Sequence, residues 1–81
     1  MATTKKSQQL FQKAIPEIVK ICLKKSLPFK WSKDSSYFDF HFGYLHTDNG
    51  GRDCIWLEKP NDEWIRFEDI KTFLEYIKIW A

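Results

Sequence analysis

Aromatic side chains recur at every second position between Tyr37 and His46, and this pattern constrains the fold more than any other part of the sequence. The rings on one side of the alternation are Phe38, Phe40, Phe42 and Tyr44. Neighbouring side chains of an extended strand point to opposite faces, so a period of two predicts one strand with an aromatic face. A water-soluble chain buries such a face beneath a second layer of structure.

A turn signal directly after this strand predicts a β-hairpin. Asn49-Gly50 supplies the positive φ angles that a tight two-residue turn requires. The returning strand then covers residues 52–59, with Tyr44 opposite Ile55 on the aromatic side.

A second turn and a third strand are predicted after the hairpin. Residues 60–62 carry turn-forming side chains, and residues 63–67 are typical of a short strand. From Glu68 onward the apolar positions return to helical spacing. These positions are Ile70, Phe73, Leu74 and Ile77. The alternative is a single helix from Asn61 onward, which would leave Trp64 outside its apolar stripe.

The chain before the aromatic strand predicts an amphipathic helix from Ser7 to about Lys25. At 100° per residue, its apolar side chains fall on one face and its basic side chains on the other. The apolar face is formed by Phe11, Ile15, Ile18, Val19 and Cys22. Pro16 costs on the order of 3 kcal/mol inside a regular helix. Because the stripe keeps its phase across Pro16, we expect a kink there rather than a break.

Together these elements predict a two-layer α+β fold in the order helix–strand–strand–strand–helix. Both helices cover one face of a small antiparallel sheet. Residues 1–6 are predicted to be a flexible N-terminal tail, and residues 7–81 a single compact domain. The predicted inward face of the sheet consists of Phe38, Phe40, Phe42, Tyr44, Ile55, Leu57, Ile65 and Phe67.

Length and composition exclude several classes of protein. With 81 residues the chain has no room for a second core, and two cysteines do not make a disulfide scaffold. No apolar run approaches the roughly 18 residues of a transmembrane helix. The N-terminal segment is polar and lysine-rich where a secretory signal needs an apolar stretch. We therefore expect a cytoplasmic protein with no membrane partner.

One acid–base arrangement follows from the predicted register. His41 lies opposite Glu58, with Asp39 on the same face, and a carboxylate beside an imidazole can orient a general base. No serine or cysteine nucleophile falls beside this pair, and His46 lies opposite Asp53 near the turn. A cross-strand charge pair on an open sheet is the favoured explanation of this spacing. The sequence therefore predicts no enzyme, no cofactor and no small-molecule substrate.

The histidines and cysteines do not form a metal-binding pattern. His41 and His46 are five positions apart, so within one strand they point to opposite faces. Cys22 falls on the buried stripe of the first helix, whereas Cys54 is predicted to face away from that helix. No metal site and no disulfide are expected.

The uncovered face of the sheet is the leading candidate for a binding surface. A solvent-facing sheet is usually polar, yet this face carries two tryptophans and a tyrosine. The predicted protein-binding residues are Tyr37, His41, Trp56, Glu58, Trp64 and Arg66, accompanied by Asp39, Leu45 and Cys54. This pattern predicts a small protein-interaction module of the adaptor or inhibitor type, with a second copy as one conceivable partner. Alternatively, the segment 27–36 covers the face.

A lysine stripe is the second candidate surface. Residues 1–33 carry eight lysines and one acidic residue, whereas residues 34–81 carry five basic and ten acidic residues. Opposite charges in the two halves attract each other within one fold, but exposed lysines also form a footprint for phosphate groups. The alternative function is therefore nucleic-acid binding through Lys6, Lys13, Lys20, Lys24 and Lys30, with Trp31 stacking on a base.

Overall fold

The computed structural model describes residues 3–31 and 37–81 of the chain. Two α-helices, five strands and a short 3-10 helix follow one another along these residues. The elements are α1 Lys5–Lys25, β1 Phe29–Lys30, β2 Tyr37–Phe40, β3 Gly43–Thr47, β4 Ile55–Glu58, β5 Trp64–Phe67, α2 Ile70–Ile77 and the 3-10 helix Lys78–Trp80. The strands form one antiparallel sheet in the order β1-β2-β3-β4-β5.

Helix α1 begins at Lys5, two residues earlier than the apolar stripe predicts. The side chain of Thr4 caps it by accepting a hydrogen bond from the backbone N–H of Ser7, at 3.0 Å. Thr4 and Lys5 thus belong to the cap and first turn of the helix, whereas residues 1–2 of the predicted tail lie outside the described residues. The helix continues through Pro16, as expected, and ends at Lys25.

The aromatic segment forms two strands instead of the single predicted strand. His41 and Phe42 make a two-residue turn between β2 and β3, so that Phe40 pairs with Gly43. Paired residues of antiparallel strands share a face, so the alternation shifts by one position at this turn. Leu45 therefore points inward and is fully buried. The predictions that Tyr44 faces inward and Leu45 outward are wrong for this reason.

The predicted tight turn at Asn49-Gly50 is also wrong. Thr47 pairs with Ile55, so seven residues, 48–54, connect β3 to β4. Within this connection the positive φ angle belongs to Gly51, at 84°. The register of β3 and β4 consequently places Tyr44 opposite Glu58 rather than opposite Ile55.

The last third of the chain follows the sequence pattern closely. A turn with Asp62 at a φ of 67° leads into β5, so the alternative of one helix from Asn61 onward is excluded. Helix α2 is capped by Asp69, whose carboxylate accepts a hydrogen bond from the backbone N–H of Thr72 at 2.7 Å. Burial falls on the predicted helical face at Phe73 and Ile77.

Both helices lie on one face of the sheet, and the two-layer α+β prediction is confirmed. The core between the layers contains Phe11, Ala14, Ile15, Ile18, Cys22, Phe38, Phe40, Leu45, Ile55, Leu57, Phe67, Phe73 and Ile77. The sheet has five strands instead of three because the aromatic segment is folded in two and Phe29–Lys30 pairs with β2 as an edge strand. In the described residues, no helix has the length and apolar character that crossing a bilayer demands.

Gly43, the first residue of β3, is predicted to tolerate no larger side chain. Its φ is 140°, and a β-carbon at this position would collide with the backbone carbonyl oxygen of Glu58. We expect Gly43→Ala to lower the free energy of unfolding by well over about 1 kcal/mol in urea denaturation. Gly51→Ala is the matched control, because Gly51 also has a positive φ but has open space around its β position. Equal losses in both variants would contradict the close approach at Gly43.

Candidate docking face of the sheet

The face of the sheet that points away from the helices carries two rows of side chains set by the strand register. The first row contains Lys30, Asp39, Tyr44, Glu58 and Trp64, in order across β1 to β5. The second row contains Tyr37, His46, Trp56 and Arg66, across β2 to β5. We call these nine residues the outer face. Directly paired side chains of antiparallel strands are close enough to interact across the sheet.

Five rings of the outer face form a continuous cluster. The imidazole of His46 stacks on the indole of Trp64 with ring centroids 4.9 Å apart, and Trp64 meets Trp56 edge-on at 6.4 Å. On the other side of His46, the rings of Tyr37 and Tyr44 lie 6.0 and 6.2 Å from the imidazole. Tyr37, Tyr44 and Trp64 are 46%, 39% and 49% exposed, respectively. A large aromatic surface is therefore open to solvent.

The predicted pairing of His41 with Glu58 is wrong: Tyr44 is opposite Glu58 in the register, and the imidazole beside the Glu58 carboxylate belongs to His46. The imidazole Nε2 of His46 lies 2.9 Å from Oε1 of Glu58, with both side chains about one-quarter exposed. His41 occupies the turn between β2 and β3, is exposed and meets Phe42 edge-on. His46 is likewise not opposite Asp53. Its paired neighbours across the sheet are Tyr37 and Trp56.

A buried carboxylate fixes the orientation of Trp56. Asp48 is only 5% exposed, and its Oδ2 accepts a hydrogen bond from the indole Nε1 of Trp56 at 2.8 Å. Its Oδ1 accepts from the backbone N–H groups of Gly50 and Arg52, at 2.7 and 3.2 Å. The Trp56 bond and these backbone bonds lower the pKa of Asp48 to about 2. Trp56 is thus held in place on the outer face by its polar end.

Ser7 of helix α1 forms hydrogen bonds to the same connection between β3 and β4. The hydroxyl of Ser7 donates to the backbone carbonyl of Cys54 at 2.6 Å and accepts from the backbone N–H of Asp48 at 3.0 Å. The sequence pattern did not indicate the roles of Ser7 and Asp48, because the turn was predicted to be centred on Asn49-Gly50. An aspartate two residues before a glycine is a signal that could have indicated an Asx turn here.

Most of the predicted docking residues lie together on the outer face. Tyr37, Trp56, Glu58, Trp64 and Arg66 are there, as is Asp39. His41, Leu45 and Cys54 are not, because the first lies in the turn and the other two are buried. Tyr44, His46 and Lys30 also belong to the outer face but were not predicted as docking residues. The first two were missed because the alternation is shifted by one position in β3.

The described part of segment 27–36 extends the sheet at its edge. Phe29 pairs with Phe40, and Lys30 with Asp39, in β1. Trp31 follows and is 47% exposed. Residues 32–36, on which the covering-loop alternative also depends, lie outside the described residues.

The predicted lysine surface is only partly assembled: Lys6, Lys13, Lys20 and Lys24 are exposed along one side of α1, but Lys30 does not join them. Lys6 and Lys13 border a groove that they share with three acidic residues: Asp53, Glu68 and Asp69. Lys20 pairs with Glu17 at 3.3 Å. Lys24 is exposed near the end of α1, whereas Lys30 belongs to the outer face, on the opposite side of the sheet from α1. Trp31 is therefore next to Lys30 and separated from the helical lysines.

Cys54 is buried beside Asp48, so it is not exposed on the open face of the sheet as predicted. It is 1% exposed, and its thiol lies 3.5 Å from Oδ2 of Asp48. Burial and the neighbouring carboxylate raise the pKa of Cys54 to about 11. Burial also raises the pKa of Cys22. Within residues 3–31 and 37–81, no three His, Cys, Asp or Glu side chains lie close enough together to hold a metal ion.

The buried carboxylate predicts a specific acid sensitivity. The folded-state pKa of Asp48 lies below its ordinary value, so its stabilising effect is complete at neutral pH and is lost progressively from about pH 5 towards pH 2. We expect Asp48→Asn to lower the urea midpoint at pH 7 and to lower it much less near pH 2. Trp56→Phe removes one of the hydrogen bonds that lower the pKa of Asp48 and should weaken this pH dependence. A stability difference between wild type and Asp48→Asn that does not change with pH would contradict the network.

The two thiols are predicted to be unreactive in the folded protein. Only the thiolate attacks a disulfide reagent, and both thiols are buried with raised pKa values. At pH 8, Ellman's reagent should label them at least about a hundredfold more slowly in buffer than in 6 M guanidinium. Rapid labelling of one thiol in a chain that remains folded by circular dichroism would contradict this placement.

The chain was compared with protein-family models, with curated proteins and with solved structures. None of them matches it.

Proposed function

We propose that this chain is a non-enzymatic protein-interaction module, of the adaptor or inhibitor type, that binds a protein partner through the outer face. The observation that carries the proposal is the continuous cluster of five rings, three of which are between 39% and 49% exposed. A sheet face open to water is normally polar. Contiguous exposed aromatic surface of this kind marks interaction sites in soluble proteins.

The composition of the outer face matches the centre and rim of a protein interface. Tryptophan, tyrosine and arginine supply most of the binding free energy at such interfaces. Here Trp56 is paired with Arg66, and the tyrosines lie on β2 and β3 of the same face. Charged side chains border the rings: Asp39 and Lys30 on one side, Arg66 on the other. Polar residues around an apolar centre are the usual arrangement in non-obligate complexes.

The rings are held in position before any partner arrives. The indole N–H of Trp56 is fixed by Asp48, and Trp64 lies between Trp56 and the stacked imidazole of His46. His46 is in turn held by Glu58. Because these side chains are already ordered, binding costs less conformational entropy at the positions that contribute most contact area.

The balance of charge on the outer face favours a protein over a nucleic acid. Lys30 and Arg66 are opposed by Asp39 and Glu58, and Arg66 also pairs with Glu68 at 3.3 Å. Nucleic-acid affinity comes largely from basic groups that neutralise phosphates. The alternative of nucleic-acid binding through the helical lysines stays a prediction, and the acidic neighbours of Lys6 and Lys13 count against it.

Site-specific photo-crosslinking tests the proposal. Benzoylphenylalanine is introduced at Tyr37 or Trp64 of the full chain, in the cells that naturally contain it, and the cells are irradiated. We expect a discrete covalent adduct with one protein from both positions, identified by mass spectrometry. An adduct of twice the chain mass would identify a second copy as the partner. The same label at the exposed Lys71, on α2, should give no such adduct.

A matched pair of tryptophan variants shows whether the adduct depends on the outer face. Trp64 and Trp31 are similarly exposed, at 49% and 47%, but Trp31 is not part of the ring cluster. With the label at Tyr37, Trp64→Ala should reduce the adduct at least about tenfold, as expected for an anchor worth 2 kcal/mol or more. Trp31→Ala should leave it unchanged. No adduct from either outer-face position, or equal loss in both variants, would overturn the proposal.

A further inference from the structure

A groove lies between α1 and α2 on the helical layer, away from the outer face, and its volume is about 390 Å³. Its apolar lining comes from Ile21 of α1 and from Leu74 and Ile77 of α2. Ile21 and Leu74 are only half-buried, so apolar surface remains open there. Sites for small organic ligands have volumes of this order and the same apolar character. We call this feature the helix groove.

The border of the helix groove is strongly basic. Lys24, Lys25 and Lys78 line it together with Lys20, which is paired with Glu17 at 3.3 Å. Glu17 is the acidic side chain among its lining residues, and Ala81 also borders it. Three lysines are therefore left without an acidic side chain among the described residues that line the groove.

The opposite end of α1 provides an internal comparison. There, Lys6 and Lys13 share their groove with Asp53, Glu68 and Asp69, so basic groups are balanced by acidic ones. Acidic side chains outnumber the lysines at this second groove, whereas lysines outnumber the one acidic side chain at the helix groove. A positive border around an apolar floor attracts an anion whose remaining part is hydrocarbon.

We propose that the helix groove binds a single-chain anionic amphiphile of the fatty-acid type. The carboxylate would lie among Lys24, Lys25 and Lys78, and the hydrocarbon chain would cover Ile21, Leu74 and Ile77. The groove is too small to seat the several turns of an amphipathic helix, whose anchors span i to i+7, and this favours a small ligand over a peptide. This proposal is independent of the proposed protein partner, because the two surfaces lie on opposite layers of the domain.

Titration with decanoate, below its micellar concentration, tests the proposal by methyl NMR of the full chain. We expect the methyl signals of Ile21, Leu74 and Ile77 to shift and saturate together, with the signals of Ile55 and Leu57 beneath the outer face unaffected. Decyltrimethylammonium has the same tail and the opposite charge, and should bind at least about tenfold more weakly. Butyrate, with the same head group, should bind more weakly because it buries less hydrocarbon.

Two charge-reversed variants of equal charge provide the decisive comparison. Lys24→Glu/Lys78→Glu should weaken decanoate binding at least about tenfold, whereas Lys6→Glu/Lys13→Glu should change it less than about twofold. All four lysines are exposed, and circular dichroism checks that both variants fold. If Lys24→Glu/Lys78→Glu does not fold, Lys24→Ala/Lys78→Ala replaces it. Equal binding by both variants, equal binding of the cationic amphiphile, or shifts spread over the whole surface would overturn the proposal.

Discussion

The hydrogen bonds of Asp48 join the two layers of this protein and set the geometry of its outer face. The carboxylate organises the seven-residue connection between β3 and β4, while its backbone N–H is bonded to Ser7 of α1. The length of this connection determines that Thr47 pairs with Ile55. That register, in turn, places every outer-face residue of β3 beside its partner in β4.

This interaction is stable because the charge is ionised and fully partnered within the fold. A buried carboxylate without donors would be costly, but Asp48 receives hydrogen bonds from two backbone groups and from the indole of Trp56. Bonds to an ionised acceptor are stronger than neutral ones. The same contacts therefore stabilise the fold and orient one of the tryptophans on which the proposed function depends.

The two layers expose surfaces with different chemistry. The outer face combines aromatic rings with a near balance of acidic and basic groups. The helical layer carries most of the lysines. Three acidic side chains share the groove beside Lys6 and Lys13, whereas one, Glu17, lines the helix groove near Lys24 and Lys78. The segregation of charge along the sequence therefore gives a local positive surface at the helix groove.

The sequence by itself determined the helices, the inward faces of β2, β4 and β5, and the outward position of Trp56 and Trp64, because these depend on local periodicity. Tertiary structure decided where β3 begins and which of its side chains point inward. Within an unbroken alternation, nothing local distinguishes one long strand from two strands joined at His41-Phe42. Gly43 lies so close to the backbone of Glu58 that a β-carbon would collide there, and this contact joins residues distant in the sequence. As a result, Tyr44 lies on the outer face, where the sequence pattern predicts Leu45, and Leu45 is buried.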